Sequence, residues 1–240
     1  MHGLFVTGTD TAVGKTHVAT IIIRTLIGRG VRVGGYKPVA SGIENGRWAD
    51  IDALSAALDD QFPLERICPQ TFEAPLAPPE AARAEGSDVD RDLLISGSRW
   101  WSEQVDMLVV EGVGGLLCPL TESSTIAELA VELNFPLVIV ARNGLGVINH
   151  TLLTIATARQ HRLPIAGVVL NHPSPADPAD PSLATNADVI TRFGDVPLLG
   201  SVPYQGTDLL ADHATATIDW LALAQATPSP TAEQPSCDDS

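Results

Sequence analysis

Positive charge is scarce in this chain. Fourteen Lys and Arg stand against 29 Asp and Glu across 240 residues, a formal net charge of −15, and no run gathers the basic residues into a patch that could offset it. Such a surface repels phosphate backbones and argues against a nucleic-acid partner. An anionic ligand must then be held by backbone N–H groups, a few placed lysines and a metal ion, working against the global field. Cysteine is almost as rare. Cys68, Cys118 and Cys237 are odd in number and too scattered for a Cys-x-x-Cys metal site or a disulfide framework, so a reducing cytoplasm is the expected compartment. No apolar stretch approaches the length needed to span a bilayer, and the chain opens on a strand-like run instead of a signal peptide. A soluble protein without a membrane partner is expected.

What the sequence does contain is an alternation of short Val-, Ile- and Leu-rich runs with longer amphipathic stretches. That alternation predicts successive βα units: a single-domain α/β fold with a mostly parallel sheet flanked by helices. Strands are predicted at Leu4–Thr7, Arg32–Tyr36, Met107–Glu111, Leu137–Ala141, Ile165–Leu170 and Leu198–Val202. Helices are predicted at Thr16–Arg29, Ile51–Leu58, Asp90–Gln104, Ile126–Leu133, Asn149–His161 and Leu183–Phe193. Thr125 followed by Glu128 reads as a capping box and fixes the start of the fourth helix. Cys68–Pro79 is Pro-rich but too apolar for a linker, whereas His172–Pro181 has the Pro, Asp and Ser composition of a surface loop. The domain is expected to cover residues 1–224. Gln225–Ser240, rich in Pro, Thr, Ser and acids, lacks the apolar residues to pack and reads as a disordered polar tail.

The first strand runs into Thr7-Gly8-Thr9-Asp10-Thr11-Ala12-Val13-Gly14-Lys15-Thr16, after which a helix begins. Strand, glycine loop and helix in that order form the context that a phosphate-binding loop requires. Gly8 and Gly14 let the backbone wrap close to phosphates, and amides at the helix N-terminus point at them. Lys15 adds a mobile positive charge, and the Thr16 hydroxyl can ligate Mg²⁺. Five residues separate the two glycines, one more than the usual spacing. Lys37 follows the second strand at its carboxyl end, the edge where open α/β sheets bind ligands. Glu111 ends the third apolar strand ahead of a Gly-rich turn, a place where P-loop enzymes put a magnesium ligand. Asp52 lies at the start of a helix, where it could equally serve to compensate the helix dipole. Gly144 to Asn149 leads into another helix, whose free amides suit a carboxylate, although an ordinary connection with an Asn cap reads the same.

Thr7–Thr16 together with Gly35-Tyr36-Lys37-Pro38-Val39-Ala40-Ser41-Gly42 and Val110-Glu111-Gly112-Val113-Gly114-Gly115 resembles the dethiobiotin synthetase family. The likeness continues through Asp50-Ile51-Asp52-Ala53-Leu54, Gly144-Leu145-Gly146-Val147-Ile148-Asn149-His150-Thr151 and Val169-Leu170-Asn171, so it covers nearly everything except the tail. Each block alone is modest; six in the family's order are highly specific. The resemblance implies ureido ring closure on 7,8-diaminononanoate with CO₂ or bicarbonate, ATP and Mg²⁺, through a carbamate and a carbamic-phosphoric anhydride. It implies that Lys15 and Lys37 are catalytic and that Thr16, Asp52 and Glu111 hold the metal. Nucleotide contacts are implied for Ala12, Val13, Gly14, Lys15, Thr16 and His17, and for Asp52, Glu111, Gly112, Val113 and Gly114. On the base side the implied residues are Asn171, His172, Pro203, Tyr204 and Gln205. Substrate contacts are implied for Thr11, Lys37, Ser41, Leu145, Gly146 and Asn149. The last three would serve the partner subunit of a homodimer with composite sites.

Two residues depart from the family pattern. His172 stands where many relatives carry an acid, and Ala12 where some carry Glu. The remaining histidines lack metal-ligand spacing and read as cap or packing residues, and Trp100 and Trp101 as core or interface anchors. Two alternatives stay open. One is another P-loop ligase acting on a different amine or carboxylate, which substrate profiling would separate. The other is a partitioning ATPase, which usually carries an additional lysine at the start of the loop, where this chain has Gly8-Thr9-Asp10.

Overall fold

A computed structural model describes residues 1–175, 177, 179–209 and 218–225. Strand β1 (His2–Gly8) is buried at every residue after the first, as a near-continuous apolar run requires when both faces of a sheet are covered. Helix α1 (Lys15–Gly28) follows, then β2 (Val33–Tyr36), β3 (Val39–Ser41), α2 (Ala49–Ala57), α3 (Leu64–Ile67), β4 (Gln70–Phe72), α4 (Pro78–Ala84) and α5 (Arg91–Trp100). The second half comprises β5 (Met107–Gly115), α6 (Ile126–Leu133), β6 (Leu137–Arg142), α7 (Val147–Gln160), β7 (Ile165–Asn171), α8 (Asn186–Gly194), β8 (Leu198–Val202) and α9 (Trp220–Ala224).

Six strands form one sheet in the order β2-β5-β1-β6-β7-β8, every described pair parallel. The chain winds outward from β1 to β2, returns to β5, then crosses to the far side with β6. That reversal opens a crevice at the carboxyl ends of β5, β1 and β6, which is where such sheets take ligands. Helix α1 lies over β5 and β2 and against α2. Its Val18, Ile22, Ile23 and Leu26 are fully buried, and burial of each such side chain contributes about 1.5–3 kcal/mol. The helix that carries the phosphate-loop lysine is therefore anchored along most of its length.

The six predicted strands and six predicted helices are all present, β8 and α6 with the predicted bounds and the others with shifted ends. The capping box forms: Thr125 N donates to Glu128 Oε2 at 2.7 Å and Ala127 N to Thr125 Oγ1 at 3.3 Å. Differences concentrate where pattern is short. Strands β3 and β4 have three residues each and pair in parallel as a separate ribbon, too short to show a period. The run after Glu111, expected as a turn, continues β5 to Gly115, because its glycines let β1 and β5 approach closely. A Cβ on Gly115 would stand 3.2 Å from Gly8 O, and one on Gly112 2.9 Å from the Phe5 ring. Of the expected tail, residues 226–240 lie outside the described residues.

Candidate active site

The loop after β1 ends on Gly14, whose φ of 99° lies in the left-handed region that favours glycine. A second constraint acts there, since a Cβ on Gly14 would fall 2.0 Å from Asn171 Nδ2. Ala12 also has positive φ, 53°, without glycine's freedom, so the surrounding loop holds it in a conformation that costs energy. No side chain caps α1. Its first amides are left for a ligand, and a polyanion is the ligand they suit.

The end of β2, the middle of β5 and the starts of α1 and α2 bring side chains together at this loop. Thr16 Oγ1 lies 2.8 Å from Asp50 Oδ1 and 2.7 Å from Glu111 Oε1. Lys37 Nζ donates to Asp50 Oδ2 at 2.7 Å and to Glu111 Oε1 at 2.6 Å. Lys15 Nζ reaches Asp10 O at 3.1 Å. Lys37 and Glu111 are almost wholly buried, their side chains 4% and 1% exposed, whereas Asp50 is 45% exposed. Burial alone would pull the Lys37 ammonium down, but Glu111 and Asp50 together outweigh it and hold it above the usual lysine range. Burial would likewise raise Asp50, and Lys37 overcomes it and holds the carboxyl below its ordinary range. Glu111 is pushed up by burial, with Lys37 opposing and Asp50 adding. Lys15 is lowered, first by burial and then by the nearby charge of Lys37.

The structure does not bring the expected metal set together as a whole. Asp52 is not in this cluster; its carboxylate pairs with Arg47 at 2.7 Å on the exposed side of α2, and Asp50 stands in its place. Successive helical residues are turned by about 100°, so positions two apart point to nearly opposite faces and only one of the two can look at the loop. The predicted helix start at Ile51 hid this, because the helix begins at Ala49 and carries Asp50 in its first turn. Thr16, Asp50 and Glu111 form an all-oxygen set, and Glu111 Oε2 is buried without a partner among the described residues. A hard divalent cation such as Mg²⁺ fits both features.

The other predicted residues distribute over three clefts. Gly14, His17, Asn171, His172, Tyr204 and Gln205 border one of about 270 Å³. Pro203 does not line it but accepts Gly206 N through its carbonyl, and His17 Nε2 donates to Gly206 O at 2.7 Å. Thr11 borders a larger cleft of about 500 Å³ with Gly114, Cys118 and His150. Leu145 borders a third with Thr9, Asp10 and Arg142. Gly146 is the N-cap of α7 with φ of 94°, and Asn149 is exposed in that helix's first turn. Ser41 Oγ donates to Leu76 O at 2.7 Å and lines none of the three. Gly112 and Val113 lie within β5 as it passes the loop. Cys118 was missed as a lining residue; burial raises its thiol although Lys15 opposes, and nothing in its local pattern marks it.

A family model described as an AAA domain matches residues 2–208. The chain is 46% identical over 205 residues to the ATP-dependent dethiobiotin synthetase BioD of Anaeromyxobacter dehalogenans, covering 85% of this chain and 91% of the relative. To the ATP-dependent dethiobiotin synthetase BioD of Anoxybacillus flavithermus it is 37% identical over 209 residues, covering 85% and 92%. Among solved structures, the septum site-determining protein MinD of Pyrococcus horikoshii, complexed with Mg-ADP, is similar with a TM-score of 0.51 at 17% identity, covering 86% of this chain and 84% of that one. At that identity the likeness concerns the fold alone.

Proposed function

The chain belongs to the ATP-dependent dethiobiotin synthetase family, and we propose that it closes the ureido ring of dethiobiotin from 7,8-diaminononanoate, CO₂ and ATP in biotin biosynthesis. The observation that carries this reading at the level of chemistry is the convergence of Lys15, Thr16, Lys37, Asp50 and Glu111 beside an uncapped helix N-terminus. That arrangement suits phosphoryl transfer, in which positioning and charge neutralisation do most of the work.

In the proposed reaction one substrate amine adds to CO₂ and loses a proton to give a carbamate. A carbamate oxygen takes the γ-phosphoryl group of ATP, releasing ADP and forming a mixed anhydride. The second amine then attacks the activated carbonyl, the C–O bond to phosphate breaks, and the five-membered urea closes. Lys15, folded against its own loop, would follow the β- and γ-phosphates. Lys37 is held charged by two carboxylates and would meet the carbamate and the transferring group. The α1 amides orient the phosphates. Thr16, Asp50 and Glu111 would hold Mg²⁺, which when bound neutralises charge on phosphate oxygens. The roles of Ser41 and Thr11 toward the substrate rest on the family resemblance.

We further place the enzyme in the cytoplasm as a homodimer whose sites are completed by the Gly144–Asn149 segment of the other subunit. Leu117, Leu145 and Leu153 support a second copy here, being 62%, 91% and 59% exposed around the clefts that border the loop. Among the described residues no helix is long and apolar enough to cross a membrane. The deciding experiment is incubation of the purified protein with diaminononanoate, bicarbonate and MgATP. Dethiobiotin, ADP and phosphate in equal amounts are expected, and ATP hydrolysis without dethiobiotin would refute the assignment.

A further inference from the structure

The carboxylate oxygens of Asp50 and Glu111 are nearly all engaged by the chain itself. Asp50 Oδ1 lies 2.8 Å from Thr16 Oγ1, and Glu111 Oε1 lies 2.7 Å from the same hydroxyl. Lys37 Nζ donates to Asp50 Oδ2 at 2.7 Å and to Glu111 Oε1 at 2.6 Å. Glu111 Oε2 alone is left over, buried and without a partner among the described residues. Thr16 carries a single hydroxyl proton, so it donates to one carboxylate and meets the other oxygen to oxygen. What holds the two carboxylates together against that contact is the Lys37 ammonium, the one cation paired with both of them among the described residues.

That ammonium occupies the oxygens that a divalent cation would need. A hard cation of the magnesium kind is held through one or two carboxylates together with phosphate oxygens, and here an ion arriving alone gains both carboxylates only by displacing Lys37 from them. Lys37 has little room to retreat. Its side chain is 4% exposed, its backbone N–H donates to Ile67 O at 2.8 Å, and Pro38 stiffens the chain that follows. The neighbouring Lys15 ammonium, which reaches Asp10 O at 3.1 Å, repels it. Displaced within this enclosure, the Lys37 ammonium would be left desolvated and without a counterion, an expensive state for a charge. A metal that arrives already bound to polyphosphate changes the balance, because its anionic oxygens can receive the ammonium as it leaves the carboxylates.

We propose that Lys37 is a tethered cation that competes with the metal for Asp50 and Glu111, so that the site refuses a free divalent ion and admits one only together with a polyphosphate. Lys37 thus determines the form in which the metal enters, in addition to acting on the transferring group. The exchange also couples the two roles, since the ammonium leaves the carboxylates only when phosphoryl oxygens are present to take it. This rests on the reading of the cluster as a phosphoryl-transfer site and adds an order of events to it.

The test is calorimetric binding of Mn²⁺, standing in for Mg²⁺, and separately of its tripolyphosphate complex, to the full chain, with dethiobiotin formation assayed in parallel. Removing the ammonium should act in opposite directions on the two ligands. Lys37→Met should bind free Mn²⁺ roughly tenfold or more tightly than the wild type, because no buried pair has to be broken. It should bind the complex roughly tenfold more weakly, because the anion loses a charged donor. Adding Glu111→Gln to Lys37→Met should abolish the gain for the free ion. In the wild type, ¹⁵N spectra of the lysine ammonium groups should show Lys37 unmoved by MgCl₂ and shifted by magnesium tripolyphosphate. The proposal is overturned if Lys37→Met binds free Mn²⁺ no better than the wild type or binds the complex no worse. A gain that survives Glu111→Gln overturns it too, as does a Lys37 signal that MgCl₂ alone shifts or that magnesium tripolyphosphate leaves in place. The wild-type spectra decide even where a variant fails to fold. Opposite effects on the two ligands without dethiobiotin formation would support the inference and overturn only the functional reading, whereas dethiobiotin formation without those effects would overturn only the inference.

Discussion

Replacing Lys37 by Met keeps the side-chain length and removes the charge that two carboxylates share. Glu111 would then be left as a buried carboxylate, 1% exposed, having lost an ammonium 2.6 Å away. Breaking a buried pair from one side costs about 3–5 kcal/mol, because the remaining charge stays desolvated. Asp50 adds little to that figure, since its side chain is 45% exposed and water screens the loss to within ~1 kcal/mol. A domain of this size loses about 2–4 °C in Tm per kcal/mol, so a drop of roughly 10 °C is expected at neutral pH. The pH dependence identifies the cause. Burial already raises Glu111 above the ordinary carboxylate value of 4.5, and Lys37 is the main force opposing it. Without Lys37 the folded form holds its proton to higher pH than the unfolded form does. Between those two values the folded state binds more protons, so its stability falls as pH rises. The deficit of Lys37→Met relative to the wild type should therefore be small near pH 4.5, grow towards pH 8, and be largely repaired by adding Glu111→Gln. Urea unfolding across that range measures it, and a deficit that is independent of pH or below ~1 kcal/mol would refute the buried-pair argument.

Asp50→Ala should raise the magnesium concentration needed for half-maximal turnover, whereas Asp52→Ala should change it little and alter stability by less than ~1 kcal/mol, because it loses only an exposed pair with Arg47; matched magnesium titrations separate the two. Gly14→Ala combines a φ of 99° with a Cβ 2.0 Å from Asn171 Nδ2, so loss of nucleotide binding in a destabilised but folded protein is expected, and wild-type affinity by calorimetry would show that the loop relaxes freely. For the composite site, Lys15→Ala and Gly146→Trp should each be inactive alone yet partly active after subunit exchange, since one site of the heterodimer then carries neither lesion. Exchange confirmed by mass spectrometry with no recovered activity would place the whole site within one chain.

How much of this was legible beforehand depended on length of pattern. β1, β5, β6 and β7 are buried on both faces, so composition alone marks them, and α6 announces its start through the Thr125–Glu128 pair. The phosphate loop was legible because glycine, lysine and hydroxyl residues must follow one another there for steric and electrostatic reasons that are local. Asp50 was not, because the choice between it and Asp52 turns on a helix start only two residues from the one the pattern suggested, and a two-residue error rotates the helix face by more than half a turn. The hydrogen bonds from Asn171 Nδ2 to Val13 O and from Asn186 Nδ2 to Asn143 Oδ1 join segments far apart in the chain. Nothing in the local sequence of either asparagine announces its partner.

One consequence concerns charge. Lys15 and Lys37 bring two positive charges to the candidate site, and Asp50 and Glu111 bring two negative ones, so these side chains sum to zero against a chain of −15. They offer a triphosphate no net attraction. What remains is direction: amides of an uncapped helix aimed at one point, and the Lys37 ammonium, whose position is fixed by the carboxylates beside it. Carboxylates in a phosphate site look counterproductive only when charge is counted without geometry. Glu111 holds Lys37 charged and stationary in a place where burial alone would neutralise it, and it retains one buried oxygen with no partner among the described residues. A group that fixes one cation and still has an oxygen free for another prepares the site for a nucleotide that arrives with its own metal.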